Sequence, residues 1–338
     1  MNYTALTRPV SSSDIHTLRS MPEYKRTFWS SNRAGALFGG FVVAASLFGV
    51  TFTPILDGSA GIQTFASYIV ATGVGAGLGV LIMQFFRNRN DIRLYRYVYF
   101  TQENGFSYSR DTTNYSQSGL IFHEGHSRSY SDVISGMLKN TPFEMGNFFY
   151  TTGSGKNQQS HDWGYMMIPL KRHVPNMILD AKSNNIGMFG IGITNLPSAF
   201  KNNQTLSLEG DFDKYFTLYA PEEYKQDALY IFTPDLMALL IDNTAKFDVE
   251  TVDDKLYIYS SNRLDLLDPL LLEKLFQIVE SVGVKTVSQT ASYADERVAE
   301  SAQGTAIAES GRRLKPSYTS TVIVITIIVI FYLLTIIL

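Results

Sequence analysis

Residues 61–86 read GIQTFASYIVATGVGAGLGVLIMQFF, about 26 positions without an Asp, Glu, Lys, Arg or His. A helix needs about 20 such residues to cross a hydrocarbon core of ~30 Å, so this run predicts a membrane span. The stretch ahead of it, AGALFGGFVVAASLFGVTFTPIL at 34–56, is uncharged over about 23 residues, and only Asp57, Gly58, Ser59 and Ala60 separate the two runs. Residues 34–86 therefore predict a two-helix transmembrane hairpin. A third uncharged run, STVIVITIIVIFYLLTIIL at 320–338, predicts a last span within 318–338. The first run is not a signal peptide, because the mostly polar residues 1–33 precede it and a second span follows at once.

Working outward, the flanks set the orientation. Lys25, Arg26 and Arg33 precede the first run, Arg87, Arg89, Arg93 and Arg96 follow the second, and Arg312, Arg313 and Lys315 precede the third. The 57–60 connection carries no Lys or Arg. Basic residues are retained on the cytoplasmic side. The expected protein is thus a multi-pass protein of the plasma (inner) membrane, with the N-terminus and main domain cytoplasmic and the C-terminus outside. Small residues recur four apart in both hairpin arms, as Gly35-x3-Gly39, Gly73-x3-Gly77 and Gly75-x3-Gly79. That spacing lets helix backbones approach closely in lipid, so these glycines are the expected packing contacts. No ionisable side chain lies inside a span, which argues against a substrate path. The third run is rich in β-branched residues and reads as a lipid-facing anchor.

Composition narrows the rest. Charged residues are 17% of the 338, and the net charge of −3 gives no sign of nucleic-acid binding. The absence of cysteine excludes disulfides, thiolate catalysis and cysteine-ligated metals. With 20 Tyr and 22 Phe, the chain has material for a real core outside the membrane. In the cytoplasmic tail 1–33, Ser11-Ser12-Ser13-Asp14 predicts a cap and one short helix, on which His16 is a surface residue. Phe28 and Trp29 sit where rings favour the membrane interface.

Residues 87–285 are expected to form a cytoplasmic α+β domain, a mainly antiparallel sheet with C-terminal helices. The basic stretch to Gln102 reads as an extension of the second span capped at Asn104-Gly105, in preference to a hairpin pairing 97–101 with 106–110. Short apolar or alternating runs at 120–123, 148–152, 165–170, 177–180, 206–209 and 216–219 predict strands. Runs 249–252 and 256–259 flank Asp253-Asp254-Lys255 and predict a hairpin. Helices are expected from Pro221 to about Ile241, broken at Thr233-Pro234, and from Asp268-Pro269 to about Val282. Residues 286–317, rich in Ala, Ser, Glu, Gly and Gln, read as a flexible linker back to the membrane.

Chemical motifs are sparse. TTGSGKN at 151–157 has Tyr150 where a phosphate loop needs Gly, and Asn157 where it needs Ser or Thr. HEGH at 123–126 spaces its histidines by three around a glycine, unlike a zinc-protease helix. His161 and His173 are isolated, and Lys171-Arg172-His173 could meet anionic headgroups. Glu209, Asp211 and Asp213 alternate, so an extended backbone would align them for a divalent cation or for acid–base work. Solvated carboxylates at a strand end are the commoner arrangement. No catalytic residue, metal ligand or cofactor is assigned on these signals.

Residues 196–260 carry a resemblance: LPSAF at 196–200, LSLEGDFDKYFTLYAP at 206–221, YIFTPDLMALLID at 230–242 and VDDKLYIYS at 252–260. With NGFSY at 104–108 and the paired spans, they resemble a group of uncharacterised bacterial membrane proteins defined by a domain of unknown function. The resemblance implies a bacterial plasma-membrane protein and transfers no catalytic residue. Three readings follow. The first is a membrane-anchored cytoplasmic interaction or scaffold module, its partners being lipid and another protein or a second copy. The others are a membrane-associated enzyme using the acidic cluster, and an accessory subunit of a transport or secretion complex.

Overall fold

The computed structural model describes residues 1–21, 39, 41–42, 61–112, 117–188, 191–208 and 210–317. The chain divides into two compact units, Met1–Phe100 and Thr101–Leu338. In the first, helices α1 (Thr4–Thr7) and α2 (Ser12–Ser20) accompany the 43-residue α3 (Ile62–Asn104). Among the described residues, α3 supplies the one helix long and apolar enough to cross a membrane. Its apolar half displays Ile69, Val74, Leu81 and Phe85 outward, each more than half exposed, as lipid-facing residues would be. Its basic half buries Asp91, Leu94, Tyr95 and Phe100. The other two expected spans lie outside the described residues, apart from Gly39, Phe41 and Val42, and so do Gly35, Phe28 and Trp29.

The N-terminal tail packs on that basic half. Ser11 caps α2 in a reciprocal box with Asp14, whose Oδ2 accepts from the Ser11 amide at 2.8 Å. Arg19 Nη2 meets the buried Asp91 Oδ2 at 2.5 Å, Tyr95 donates to Asp14 Oδ1 at 3.4 Å, and the Arg8 guanidinium lies 5.3 Å from the centre of the Tyr95 ring. Tyr3 stacks on Phe100 with centroids 5.9 Å apart. His16 is exposed. Gly39 touches the apolar half of α3: a Cβ there would overlap the Gly75 carbonyl oxygen and press on the Gly79 backbone. Gly75 and Gly79 are buried, whereas Gly73 and Gly77 face open space. Only one of the two glycine stripes of α3 is therefore occupied by Gly39.

The helical reading of 87–104 holds. α3 ends at Asn104, and Gly105 at φ +71° closes it, the Phe106 amide returning to the Thr101 carbonyl at 2.8 Å. The second unit is α+β with a large antiparallel sheet. Its strands are β1 (Ser107–Thr112), β2 (His126–Leu138), β3 (Thr141–Thr152), β4 (Gln159–Ala181), β7 (Thr205–Leu206), β8 (Phe216–Tyr219) and β9 (Asp248–Ser260), and a separate hairpin joins β5 (Ile186–Met188) to β6 (Ile191–Ile193). β1 to β4 run as a meander. The 23-residue β4 pairs β3 along its first half, β8 at its far end, and β9 along its other edge. Helices α4 (Phe212–Tyr215), α5 (Lys225–Ile231), α6 (Pro234–Thr244), α7 (Pro269–Ile278), α8 (Val284–Thr290) and α9 (Glu309–Arg312) complete it. The expected break at Thr233-Pro234 separates α5 from α6, and Asp268 caps α7 by accepting from the Leu270 amide.

Four expectations change. Leu120–His123 is a single 3-10 turn whose Ile121 and Phe122 plug an aromatic cluster of Tyr130, Phe148, Tyr165, Tyr257 and Tyr259. Runs 165–170 and 177–180 belong to one strand, and 249–252 and 256–259 to another. Asp253 does sit at φ +53°, but as a bulge opposite the irregular register between Pro169 and Val174, where the prolines withhold ladder donors. The predicted strand 206–209 is reduced to Thr205–Leu206. The predicted linker 286–317 is packed rather than loose: Tyr293, Ile307 and Leu314 are buried, and Asp295 is fully so.

A polar knot accounts for that last correction. Arg297 pairs with Asp227 at 2.9 Å and Asp295 at 3.1 Å while lying 4.0 Å from the centre of the Tyr224 ring. Asp295 also accepts from Tyr224 at 2.6 Å and from the Ala308 amide at 2.9 Å. Its acceptor sites are thus filled by Arg297 and Ala308 of the segment and by Tyr224 from outside it. Arg297→Ala should cost about 2 kcal/mol, the worth of hydrogen bonds to a charged group. The check is limited trypsin digestion, in which cleavage at Arg312 and Arg313 is expected to accelerate while the sheet resists.

Candidate functional site

The predicted motifs serve the fold. Residues 151–157 are the end of β3 and most of its connection to β4, and His126 Nε2 lies 2.9 Å from the Gly153 carbonyl oxygen. Arg128 donates to the carbonyls of His123, Glu124 and Gly125, which fixes the 123–126 turn. His161 stacks on Tyr150 and lies 2.9 Å from Thr152 Oγ1. At the β4 bulge Arg172 donates to the Ala291 carbonyl at 2.8 Å, and the His173 amide to Gly304 O at 3.1 Å. Arg172 thereby ties the 291–304 segment to the sheet. Of the acidic trio, Glu209 lies outside the described residues. Asp211 is exposed and pairs with Lys214 at 2.7 Å. Asp213 folds back to accept from Ser207 and from the Leu208 amide. These two carboxylates do not converge, because a turn and α4 replace the extended backbone their alternation presupposed.

Two other groups of acids lie inside the sheet domain. Glu144 Oε1 accepts from Gln117 at 2.9 Å and Tyr165 at 2.8 Å, and Gln117 Oε1 accepts from Tyr257 at 2.6 Å. Glu250 Oε2 accepts from the Leu120 amide and Tyr259, each at 2.7 Å, and Oε1 from Asn176 at 2.7 Å. Burial pushes the Glu250 carboxyl above its ordinary value, while those three donors oppose the rise. This network fastens the 117–123 plug to β9.

The second group pairs two acids. One residue beyond the Leu179↔Val249 pair, Asp180 of β4 stands opposite Asp248 of β9, and both are buried, at 2% and 0% exposure. Asp248 Oδ1 accepts from the Ala181 amide and Oδ2 from Asn195 Nδ2, both at 2.9 Å. The Asn184 side chain also hydrogen-bonds to Asp248, and those of Asn185 and Thr194 to Asp180. Asp180 Oδ1 and Asn195 Oδ1 are buried without a close hydrogen-bond partner among the described residues. This is the candidate site. Each acid borders a predicted apolar strand, but their juxtaposition depends on the β4–β9 register, which no local pattern reports.

Burial, with the like charge of Asp248, pushes the Asp180 carboxyl up to about 7. A folded-state value raised above the unfolded one favours the protonated form, so stability is lost as pH rises from about 4 to about 7. The loss is on the order of 4 kcal/mol over that whole range. Thermal melts at pH 5 and pH 8 should show about 3 kcal/mol of that drop, the part lying above pH 5, and Asp180→Asn should remove most of it.

Elsewhere, a shallow depression of about 620 Å³ is lined by Asp227, Tyr230, Tyr293 and Arg297, whose charges are already matched in the knot. No family model matches the chain, and no curated protein matches it. Among solved structures it is similar to the mycobacterial trehalose monomycolate transport factor A, TtfA, at 8% identity over 58% of this chain and 90% of that one, with a TM-score of 0.35.

Proposed function

We propose that this chain is a membrane-anchored interaction module that holds its α+β domain at the cytoplasmic face, where it binds a protein partner or a second copy. One observation carries the reading: residues 3–19, before the hairpin, contact residues 91–100, after it. Chain ends that touch outside the apolar region lie on one side of the bilayer, which requires an even number of crossings between them. The apolar half of α3 is long and apolar enough for one crossing. The uncharged run 34–56, with Gly39 seated against Gly75 and Gly79, supports the other. The basic flanks favour the cytoplasm as the shared side. The resemblance of residues 196–260 to bacterial membrane proteins agrees with that setting.

Affinity purification of the full chain in mild detergent, with the mass of the eluted particle measured by light scattering, tests the binding half of the reading. A particle heavier than one chain plus its micelle is expected, either as a dimer or with a co-purifying protein. Recovery of a bare monomer at every extraction condition would count against an interaction module. A larger multi-span protein in the eluate would point instead to an accessory subunit.

A further inference from the structure

We infer that Arg89, Arg93 and Arg96 form a docking stripe for the phosphates of anionic phospholipids at the membrane surface. Residues 78, 82, 85, 89, 93 and 96 follow one another at intervals of three or four, so they share one face of α3 over about five turns. The first three are Leu78, Ile82 and Phe85, each more than half exposed, as a face covered by lipid would be. The same face then carries the three arginines. Arg89 and Arg93 are exposed, and Arg96 is half-buried. The Arg89 guanidinium lies 5.8 Å from the centre of the Phe85 ring, and among the described residues it meets no carboxylate. Arg96 meets none either, and its Nε is buried without a hydrogen-bond partner. Asp91 sits on the far side of the helix, buried and held by Arg19 at 2.5 Å. Glu103, the other acid of residues 87–104, follows Arg96 by about two turns.

Phosphate oxygens are the acceptors that a guanidinium fork fits best. The depth also matches. By the helix rise, Arg89 lies about 5 Å and Arg96 about 15 Å past Phe86, where the apolar run ends. Helical side chains tilt toward the N-terminus, here the membrane end, so the arginines lean back toward the bilayer. The headgroup layer adds about 5–8 Å to the hydrocarbon core on each side, and the field of anionic lipid reaches about 8 Å further. The site rests on the reading that the apolar half of α3 crosses the bilayer, and deepens it by naming the lipid.

The test titrates the full chain, in nonionic detergent, with phosphatidylglycerol or phosphatidylcholine and counts bound lipid by native mass spectrometry. The wild type is expected to prefer phosphatidylglycerol. Arg89→Gln/Arg96→Gln should lower that affinity roughly 30-fold, the worth of two arginines beside anionic lipid, and leave phosphatidylcholine binding unchanged. Arg89→Lys/Arg96→Lys, which keeps the charge, should retain the preference. Lys156→Gln/Lys201→Gln, which removes equal charge elsewhere, should retain it too. Equal binding of the two lipids by the wild type would overturn the site. So would a preference kept by the glutamine pair, or lost equally by either lysine variant. Displacement of bound phosphatidylglycerol by inorganic phosphate, but not by chloride at matched ionic strength, would make it a site for a soluble anion and overturn the lipid assignment. Detergent opens both sides of the membrane region to lipid, so a failure here bears on the stripe, while labelling in cells tests the sidedness separately.

Discussion

Glu250→Ala is expected to destabilise the sheet domain by about 3–5 kcal/mol, the cost of breaking a buried charged network by removing one member. The substitution strands the Leu120 amide, the Tyr259 hydroxyl and the Asn176 amide at once. Asn176 cannot turn over to compensate, because its Oδ1 holds the Leu314 amide at 2.9 Å and its Nδ2 also meets the Thr251 carbonyl. Glu250→Gln should cost less, since its oxygen can keep one side of the network while its amide nitrogen faces a donor. Denaturant titration followed by tryptophan fluorescence measures the order. Released from Glu250, the 117–123 plug should also become the first part of the aromatic cluster to exchange its amides.

Gly39→Ile is expected to disrupt the packing of residue 39 on the Gly75–Gly79 face of α3, whereas Gly73→Ile is expected to leave it intact. A side chain at 39 would enter the backbone of Gly75 and Gly79, and backbone cannot yield as a flexible side chain can. Overpacking of that kind costs about 3 kcal/mol or more. At 73 the same isoleucine meets nothing within 4 Å and adds apolar surface to a face already exposed. Titration of the micelle-bound protein with a denaturing detergent should separate the two variants clearly. Equal behaviour would mean that the glycine stripes are not used unequally.

Signals that are local in the chain were legible in the sequence. A charge-free run of 26 residues has few meanings, and Asn104-Gly105 and Asp268-Pro269 carry their cap chemistry within a few residues. Non-local signals were not. β2 reads HSRSYSDVISGML, whose half-polar face conceals a 13-residue strand. Asp253 looks like a turn residue because the left-handed backbone it adopts serves a turn or a bulge equally well. The 286–317 segment is poor in large apolar residues and is held instead by Asp295 and Arg297, whose partners lie as far as 74 residues away. The acidic corner at Asp180 and Asp248 belongs to the same class. Conversely, the visible Glu209–Asp213 alternation suggested a site only on the assumption of extended backbone.

The proposed placing of residues 1–21 and 87–104 on one side of the membrane is tested most directly by labelling in intact cells. The chain has no native cysteine, so single substitutions report cleanly. With a membrane-impermeant maleimide, Gly58→Cys should label from outside, while His16→Cys and Lys156→Cys should label only after lysis. Labelling of position 16 or 156 in unbroken cells, or protection of position 58 until lysis, would contradict the account.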